Sequence, residues 1–498
     1  MNIPDTHVSE PLVENNQFRK KGQNRKPLPR FTDIRTKLPE PFWENHRESI
    51  HCYWKTWELA FSNLGNPVKE SRFVGSFVDT AFNGNLFLWD SVFILMFGKY
   101  ARHIFNFQKT LDNFYSHQHT DGYICREIRE SDSREMFERF DPSSTGPNIL
   151  AWSEWEYFLV AKDKERLAAV FPPLLAYNRW FRKNRSWRDG SYWSSGWGCG
   201  MDNQPRLDKN YDHEFDHGHL SWVDTTLQQL LNNRILVKIA EKLGKMDLIH
   251  DEIREIEQLG KYVNETMWDR ETSFYYDVKR NGELSKLKTI GSYWALLAEV
   301  VPPSELPYFI GHLENKSEFD RPHPIPTLSA DNKDYCRDGG YWRGGVWSPT
   351  NYMVLRGLSK CGEEELAHKI AVKHLRHVIE TFSKTDTLWE NYSPETVDPG
   401  NPSRADFVGW TGLSSVSVLF EYVFGIQPGS DNSLTWNIHL CEKHGVKKYP
   451  VHNQLIDLIC FSRDSEDEEP QVEIYSEKPV TVNITWRSGK KTVASAMS

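Results

Sequence analysis

The sequence predicts a mainly α protein: an (α/α)6 toroid with an N-terminal extension and a small C-terminal β domain. Three observations carry that expectation. Apolar residues recur at spacings of three and four along a series of amphipathic segments. Short breaks separate twelve such segments, which makes six consecutive pairs. After about Leu434 the apolar period drops to two, as in strands. Six helical hairpins in series close into an inner and an outer ring, with the long loops at one mouth. An open solenoid would carry a repeat, and none is visible. A bundle-rich multidomain chain is the other arrangement compatible with this pattern.

Taken in order, residues 1–45 are polar and proline-rich, carry the basic cluster RKKGQNRKPLPR and show no period that fixes a helix. They are expected as an extended N-terminal arm. Residues 46–430 form the helical domain, with helices at about 46–63, 90–99, 101–117, 149–162, 165–184, 224–244, 247–266, 289–300, 304–314, 349–361, 363–383 and 410–424. The clearest begins at Asp224 as N-cap, carries Leu227, Leu231, Ile235, Ile239 and Leu243 on one face, and stops at Gly244. Pro172-Pro173 and Pro302-Pro303 are read as punctuation, where proline opens or blocks a helix. Residues 431–498 form the small β region, with strands at about 455–461, 472–475 and 480–486 around the acidic loop DSEDEEP, a solvated turn.

At 498 residues the chain is long enough for two or three ordinary domains or one large closed helical array. Against 69 acidic residues there are 60 basic ones, a net charge of −9 with no long basic stripe, so neither nucleic acid nor an anionic membrane is the expected partner. A small carbohydrate is. Aromatics make up 13% of the chain, with 19 Trp, 20 Tyr and 27 Phe, and many Trp sit beside Gly, Asp or Asn rather than inside apolar runs. Indole faces in polar loops suit sugar rings, whose C–H faces stack while their hydroxyls take hydrogen bonds. Seven cysteines, at 52, 125, 199, 336, 361, 441 and 460, lack metal-type spacing and are odd in number, which points to free thiols in a reducing compartment. The first residues, MNIPDTHVSEPLVENN, have neither a basic n-region nor an apolar h-region, and no apolar run approaches the ~20 residues of a membrane span. The expected location is the cytoplasm, although a chain trimmed of its signal would look the same. Oligomeric state is not legible.

Five polar, tryptophan-rich stretches fall mainly between helices: NLFLWDSVF (85–93), HQHTDGYICRE (117–127), SGWGCGMDNQPR (195–206), DGGYWRGGVWSPTNY (338–352) and TLWENYSPET (387–396). In the third, Gly196, Gly198 and Gly200 lead into Met201-Asp202 as a turn that aims one carboxylate. In the fifth, Glu390 stands between Trp389 and Tyr392. Taken singly, Asp202 reads as a solvated Asp in a structural turn and Glu390 equally as a loop Glu held by a hydrogen bond. Taken together they supply the pair that glycosidic cleavage needs, one acid for the leaving oxygen and one base for water. Burial against Trp197 would keep Asp202 protonated near neutral pH.

FLWDSVF, SGWGCGMDNQPR, GGYWRGGVW and LWENYSPET, in that order, resemble the signature stretches of inverting α-glycosidases. That group contains trehalase, the processing α-glucosidases and the bacterial mannosylglycerate and glucosylglycerate hydrolases. The resemblance spans roughly residues 46–425 and implies an (α/α)6 toroid and single-displacement hydrolysis of an α-linked glucoside or mannoside, without cofactor or metal. Carried over by position, it implies that Asp202 is the general acid and Glu390 the base that activates water. Trp89 and Asp90 would line the glycone subsite, Gln118 and Asp121 another subsite loop, and Tyr341, Trp342, Arg343, Gly344 and Trp347 the surroundings of the anomeric centre. Trp197, Asn203, Arg206, Trp389 and Tyr392 complete the expected substrate-binding set. Gly-Met precedes the acid where trehalases proper have a different order, and the long trehalase signature upstream of Trp89 is missing. The bacterial branch is therefore the better match.

Arg206 suits a bidentate clamp on a substrate carboxylate such as glycerate, and equally a loop-orienting salt bridge to Asp208 or Asp212; Arg343 has the same two readings. His213, His217 and His219, interleaved with Asp212, Glu214 and Asp216, have metal-like composition, but nothing else completes a ligand set, so a hydrogen-bonding loop near the aglycone subsite is expected. No nucleophile elbow, P-loop or dinucleotide fingerprint occurs. Two other classes compete: a sugar epimerase using His119 with one of His213, His217 or His219, and a carbohydrate-binding protein without turnover.

Overall fold

A computed structural model describes residues 9–80, 83–429 and 433–497. Besides the single turns Phe31–Ile34 and Gly196–Cys199, twelve helices fall within or near the segments the apolar period predicts, those expected at 101–117 and 289–300 shortened to Thr110–Ser116 and Trp294–Leu297. They are α1 (Arg47–Ser62), α2 (Leu88–Gly98), α3 (Thr110–Ser116), α4 (Leu150–Ala161), α5 (Lys164–Asn184), α6 (Val223–Leu243), α7 (His250–Tyr262), α8 (Trp294–Leu297), α9 (Leu306–Gly311), α10 (Ser348–Lys360), α11 (Glu364–Thr385) and α12 (Leu413–Val423), the last wound in i→i+5 register.

Local chemistry explains the ends. Asp163 Oδ1 caps α5 by accepting Arg166 N–H at 2.8 Å. Gly244, at φ 69°, closes α6 in the left-handed conformation that residues with a Cβ adopt at a cost. Pro172 and Pro173, expected to punctuate, lie inside α5 instead. Val170, Phe171, Leu174, Leu175 and Tyr177 around them are buried, and that burial outweighs the roughly 3 kcal/mol a helical proline costs.

Alternate helices pack into a circuit: α2 against α4, α4 against α6, α6 against α8, α8 against α10, α10 against α12, and α12 back against α2. The intervening helices pack on this circuit, α1 against α12, α5 against α4 and α6, α7 against α6, and α11 against α10 and α12. Every residue of α2 and of α12 is buried, as helices enclosed on all sides require.

A buried ionic cluster ties four circuit helices together. Lys99, just after α2, lies 3.0 Å from Glu421 of α12 and 3.7 Å from Glu156 of α4, and Arg356 of α10 meets Glu156 at 2.6 Å. Tyr100 and Tyr352 donate to the two oxygens of Glu421 at 2.7 and 2.9 Å.

The C-terminal part is β-rich. Its strands are β2 (Ile426–Pro428), β3 (Ser433–Asn437), β4 (His444–Val451), β5 (Gln454–Cys460), β6 (Val472–Ser476), β7 (Thr481–Trp486), β8 (Gly489–Ala494) and β9 (Ala496–Met497), of which the period-two pattern predicts β5, β6 and β7. One sheet has the order β1-β4-β5-β6-β9, where β1 is Glu40–Trp43 of the N-terminal segment, and a second has the order β8-β7-β3-β2. The register Glu40↔Lys447 to Trp43↔His444 sews the N-terminal segment to this sheet. That segment is thus not a bare extended arm in its described part. It forms short helical turns at Pro11–Asn15 and Gln17–Lys20, buries Phe18 in the core, and sets Asn16 Nδ2 on Tyr115 O and Gln118 Oε1, each at 2.9 Å. Its anchors are single residues in polar sequence, so no period announces them. Among the described residues no helix is long and apolar enough to cross a membrane, and all seven cysteines are free.

The ionic cluster yields a stability prediction. Glu421→Ala leaves Lys99 and Arg356 with Glu156 as their one remaining shared carboxylate and strands the hydroxyls of Tyr100 and Tyr352, and is expected to cost about 3–5 kcal/mol in urea denaturation at neutral pH. A loss below about 1 kcal/mol would show that the cluster does not couple the helices.

Candidate active site

The site assembles from loops at the ends of the circuit helices. Strand pairing between residues 85–87 and 127–129, in the register Phe87↔Glu127, sets the Trp89-Asp90 turn of α2 beside Arg126 and Glu127. A cavity of about 150 Å³ opens there, and its wall includes Trp89, Asp90, Arg126, Trp197, Asp202, Tyr341, Trp342 and Trp410. Trp89 Nε1 is buried without a hydrogen-bond partner, a donor left for a ligand hydroxyl.

The Asp202 loop is built as its glycines suggest. Ser195 caps the single turn Gly196–Cys199 through Gly198 N–H, and Gly200 follows at φ 78°. A Cβ on Gly200 would lie 2.9 Å from the Trp89 ring, so only glycine lets the turn press against that indole. Asn203, next in the chain to the acid, binds the facing loop: its Nδ2 donates to Gly340 O at 3.1 Å and its Oδ1 accepts Trp342 N–H at 2.9 Å. Arg206 locks the loop from behind.

Glu390 is 3% exposed. Its backbone N–H donates to Arg404 O at 2.8 Å and its carbonyl accepts Trp410 Nε1 at 2.8 Å, so both ends of the peptide are fixed. Tyr341 Oη donates to Glu390 Oε1 at 3.2 Å, linking this carboxyl to the cavity wall. Tyr341 adopts φ 65°, a strained conformation for an aromatic residue, and Trp347 Nε1 holds it by donating to its carbonyl at 3.1 Å. Trp347 itself stacks on Trp342 at 3.7 Å between centroids.

Burial dominates the electrostatics. It pushes Asp202 up to about 6 against the attraction of Arg126, with Glu214 adding to the rise. It pushes Glu390 up to about 7, opposed by the Tyr341 hydrogen bond and Arg404. Asp90 is raised well above the carboxylate range by burial and by the charges of Glu390 and Asp202. Near neutrality the Asp202 and Glu390 set thus holds a proton that it can give and a carboxylate that can accept one. In the unliganded chain the rise is larger for Glu390 than for Asp202, the reverse of what an Asp202 acid needs. A glycosidic oxygen against Asp202 would favour its protonated form.

The structure occupies several of the expected substrate-binding residues otherwise. Arg206 pairs with Asp224 at 2.7 Å and Asp277 at 2.5 Å over the Trp222 ring, not with Asp208 or Asp212; this saturated, buried guanidinium has nothing left for a substrate carboxylate. Gln118 spends its amide on Gly122 O, Pro173 O and Asn16. Asp121 accepts from Arg139 at 2.9 Å and Trp180 at 3.0 Å. Tyr392 is buried in a separate small apolar cluster, with Trp389 packed against it and bonded to Thr385. Trp347 and Gly344 shape the Tyr341 loop from within, where a Gly344 Cβ would lie 2.7 Å from Cys336 O. Arg343 pairs with Asp334 at 3.2 Å, outside the cavity of Asp202.

Histidine chemistry finds no seat in the cavity. His119 pairs with Glu135 at 2.8 Å, while His217 and His219 pack on each other and on Trp187. Among the described residues no group of three or more His, Cys, Asp or Glu is placed to hold a metal. The sequence reading missed Arg126, Glu127 and Trp410. Arg126-Glu127 closes the stretch HQHTDGYICRE, a charged pair after an apolar run, and Trp410 carries no local signal at the start of its helix.

The chain is similar to known proteins in sequence and in fold. Residues 84–411 match the model described as the mannosylglycerate hydrolase MGH1-like glycoside hydrolase domain. An uncharacterized protein of Borreliella burgdorferi is 24% identical over 373 residues, 72% of this chain and 76% of its own. The mannosylglycerate hydrolase of Thermus thermophilus is 26% identical over 382 residues, 62% of this chain and 88% of its own. The solved GH63 mannosylglycerate hydrolase from Thermus thermophilus, in complex with glucose, shares the fold at a TM-score of 0.60 and 20% identity, over 73% of this chain and 99% of that one.

The raised carboxyls have a consequence for stability. Unfolded, Glu390 would lose its proton near 4.3, whereas folded it keeps the proton to about 7, so the folded chain binds more protons in between and loses stability as pH rises through that window. Glu390→Gln is therefore expected to stabilise the fold by about 1–3 kcal/mol at pH 8 and by almost nothing at pH 4, read by denaturant unfolding. Equal effects at both pH values would contradict the burial of this carboxyl.

Proposed function

The chain belongs to the family of the mannosylglycerate hydrolase MGH1-like glycoside hydrolases and is a glycoside hydrolase, and from that premise we propose an inverting α-glycosidase that cleaves an α-linked glucoside or mannoside. The substrate is a disaccharide, a short oligosaccharide or a glycosylglycerate. The circuit of six helices with partners outside is, in this reading, an (α/α)6 toroid, and the cavity is its mouth. Residues 46–430 make the catalytic domain in the same reading, with residues 1–45 and 431–498 as its flanking segments.

One observation carries the proposal. Asp202 and Glu390, 188 positions apart, are half-buried and buried, both are raised in pKa, and both belong to one aromatic cavity, Asp202 in its wall and Glu390 through its bond to Tyr341. Asp202, protonated, delivers its proton to the glycosidic oxygen as the bond to the anomeric carbon breaks. Glu390, ionised, takes a proton from the water that attacks the opposite face, and the sugar leaves with inverted configuration. Tyr341 Oη holds the Glu390 carboxylate by its hydrogen bond. Asp90 and Trp89 Nε1 suit the hydroxyls of the glycone, whose C–H face the tryptophans stack. Arg126, beside both Asp90 and Asp202, opposes their protonation and keeps the cavity from becoming wholly neutral.

Incubation with α-linked disaccharides and glycosylglycerates, followed by NMR of the first anomer released, tests this reading. The expected product is the β anomer. Asp202→Asn and Glu390→Gln are each expected to lower kcat by roughly 10²–10⁴-fold. Release of the α anomer, or near-normal turnover in either variant, would contradict it.

A further inference from the structure

We propose that the leaving-group side of the site takes a neutral, hydroxyl-rich group, a second sugar or a polyol, and rejects an anionic one, with Glu214 as the residue that sets the preference. The inference rests on the glycosidase reading above and narrows its substrate. In acid-assisted cleavage the leaving group departs past the general acid, so whatever borders Asp202 outside the sugar cavity faces that group.

The segment 211–214 borders it. A Cβ on Gly196 would lie 2.2 Å from the Asp202 carbonyl oxygen and 2.3 Å from that of His213, so the two backbones meet across this glycine. Trp197 N–H donates to Glu214 O at 2.9 Å and closes the junction. A second cavity opens here, lined by Asn203, Tyr211, Asp212, His213, Glu214 and Arg343, and Asn203 is the chain neighbour of Asp202.

The charge of this cavity is acidic. No ion pair engages the Glu214 carboxylate among the described residues, and its field reaches Asp202, whose rise it reinforces. Asp212 spends one oxygen on the N–H groups of Glu214 and Phe215, at 2.8 and 3.3 Å, which leaves its charge in place. Arg343 meets Asp334 through one terminal nitrogen at 3.2 Å, and its Nε is buried without a partner. A carboxylate-bearing leaving group entering this space meets two carboxylates and one arginine whose charge Asp334 already offsets. A hydroxyl meets partners instead: it donates to Glu214, or pairs with His213 Nδ1, which is buried and has no hydrogen-bond partner.

Rates for α-linked disaccharides and for glucosyl- and mannosylglycerate, measured at pH 7 and low salt on the wild-type chain and on Glu214→Gln, test the inference. The best disaccharide is expected to exceed either glycerate conjugate in kcat/KM by about tenfold or more, and Glu214→Gln to narrow that ratio by a similar factor. Any effect of the substitution on Asp202 ionisation acts on both substrates alike, so the ratio isolates the leaving-group contact. A glycerate conjugate cleaved as well as the best disaccharide, or a ratio that Glu214→Gln does not move, overturns the inference and leaves the glycosidase reading standing. No hydrolysis of any substrate removes both together.

Discussion

Withdrawal from water, nearly complete for Glu390 and Asp90 and partial for Asp202, is the constraint on which the rest of this site depends. In water each would be an ordinary carboxylate and could not hold a proton at neutral pH. Asp202 and Asp90 line a cavity walled by Trp89, Trp197, Tyr341, Trp342 and Trp410, Glu390 lies behind Tyr341, and all three are shifted upward, with Arg126 limiting the shift of the two aspartates and Tyr341 and Arg404 that of Glu390. The aromatic walls therefore have two uses. In the proposed reading they present faces and edges to a sugar ring, and they lower the local dielectric so that an acid and a base can coexist.

Such a site is costly to hold together, and the surrounding structure supplies what holds it. The Asp202 loop is pinned by Arg206 between Asp224 and Asp277, and the Glu390 loop by Trp410 and Arg404. Tyr341 keeps its strained backbone because Asn203 binds the adjacent peptides and Trp347 binds its carbonyl. These contacts come from elements far apart in sequence, so each loop is positioned by a circuit helix or by another loop rather than by its own turn. The division of labour follows. In the proposed reading the residues of the cavity do the chemistry, while Arg206, Asn203 and Trp347 behind it keep the geometry.

What the sequence revealed about the fold follows the strength of its periodic signals. Helices such as α6, with five apolar residues on one face and a glycine stop, were legible because the pattern that defines them is local. Residues 9–43 were not, since Phe18 and Asn16 act as isolated anchors whose partners, Tyr115 and Gln118, lie a hundred positions away. Pro172 and Pro173 misled because helix propensity is a weak preference that surrounding burial overrides. In the site, the two carboxyls and Trp197 are legible from aromatic and glycine context, whereas Trp89, Asp90, Tyr341 and Trp342 enter through the resemblance of their stretches to a known family. Arg206 was not: its motif position suited a substrate clamp, and only the folded chain brings Asp224 and Asp277 around it. Arg126 and Trp410 escaped for the opposite reason, as ordinary residues made important by where they end up.

The central claim is that Asp202 and Glu390 act from opposite sides of one anomeric carbon. A crystal structure of the Asp202→Asn variant with an α-linked disaccharide bound tests it most directly. The account predicts residue 202 at the glycosidic oxygen, and Glu390 holding a water on the far face with the two side-chain termini about 6.5–9.5 Å apart. A sugar bound away from this pair, or termini about 5 Å apart with no room for water, would contradict it.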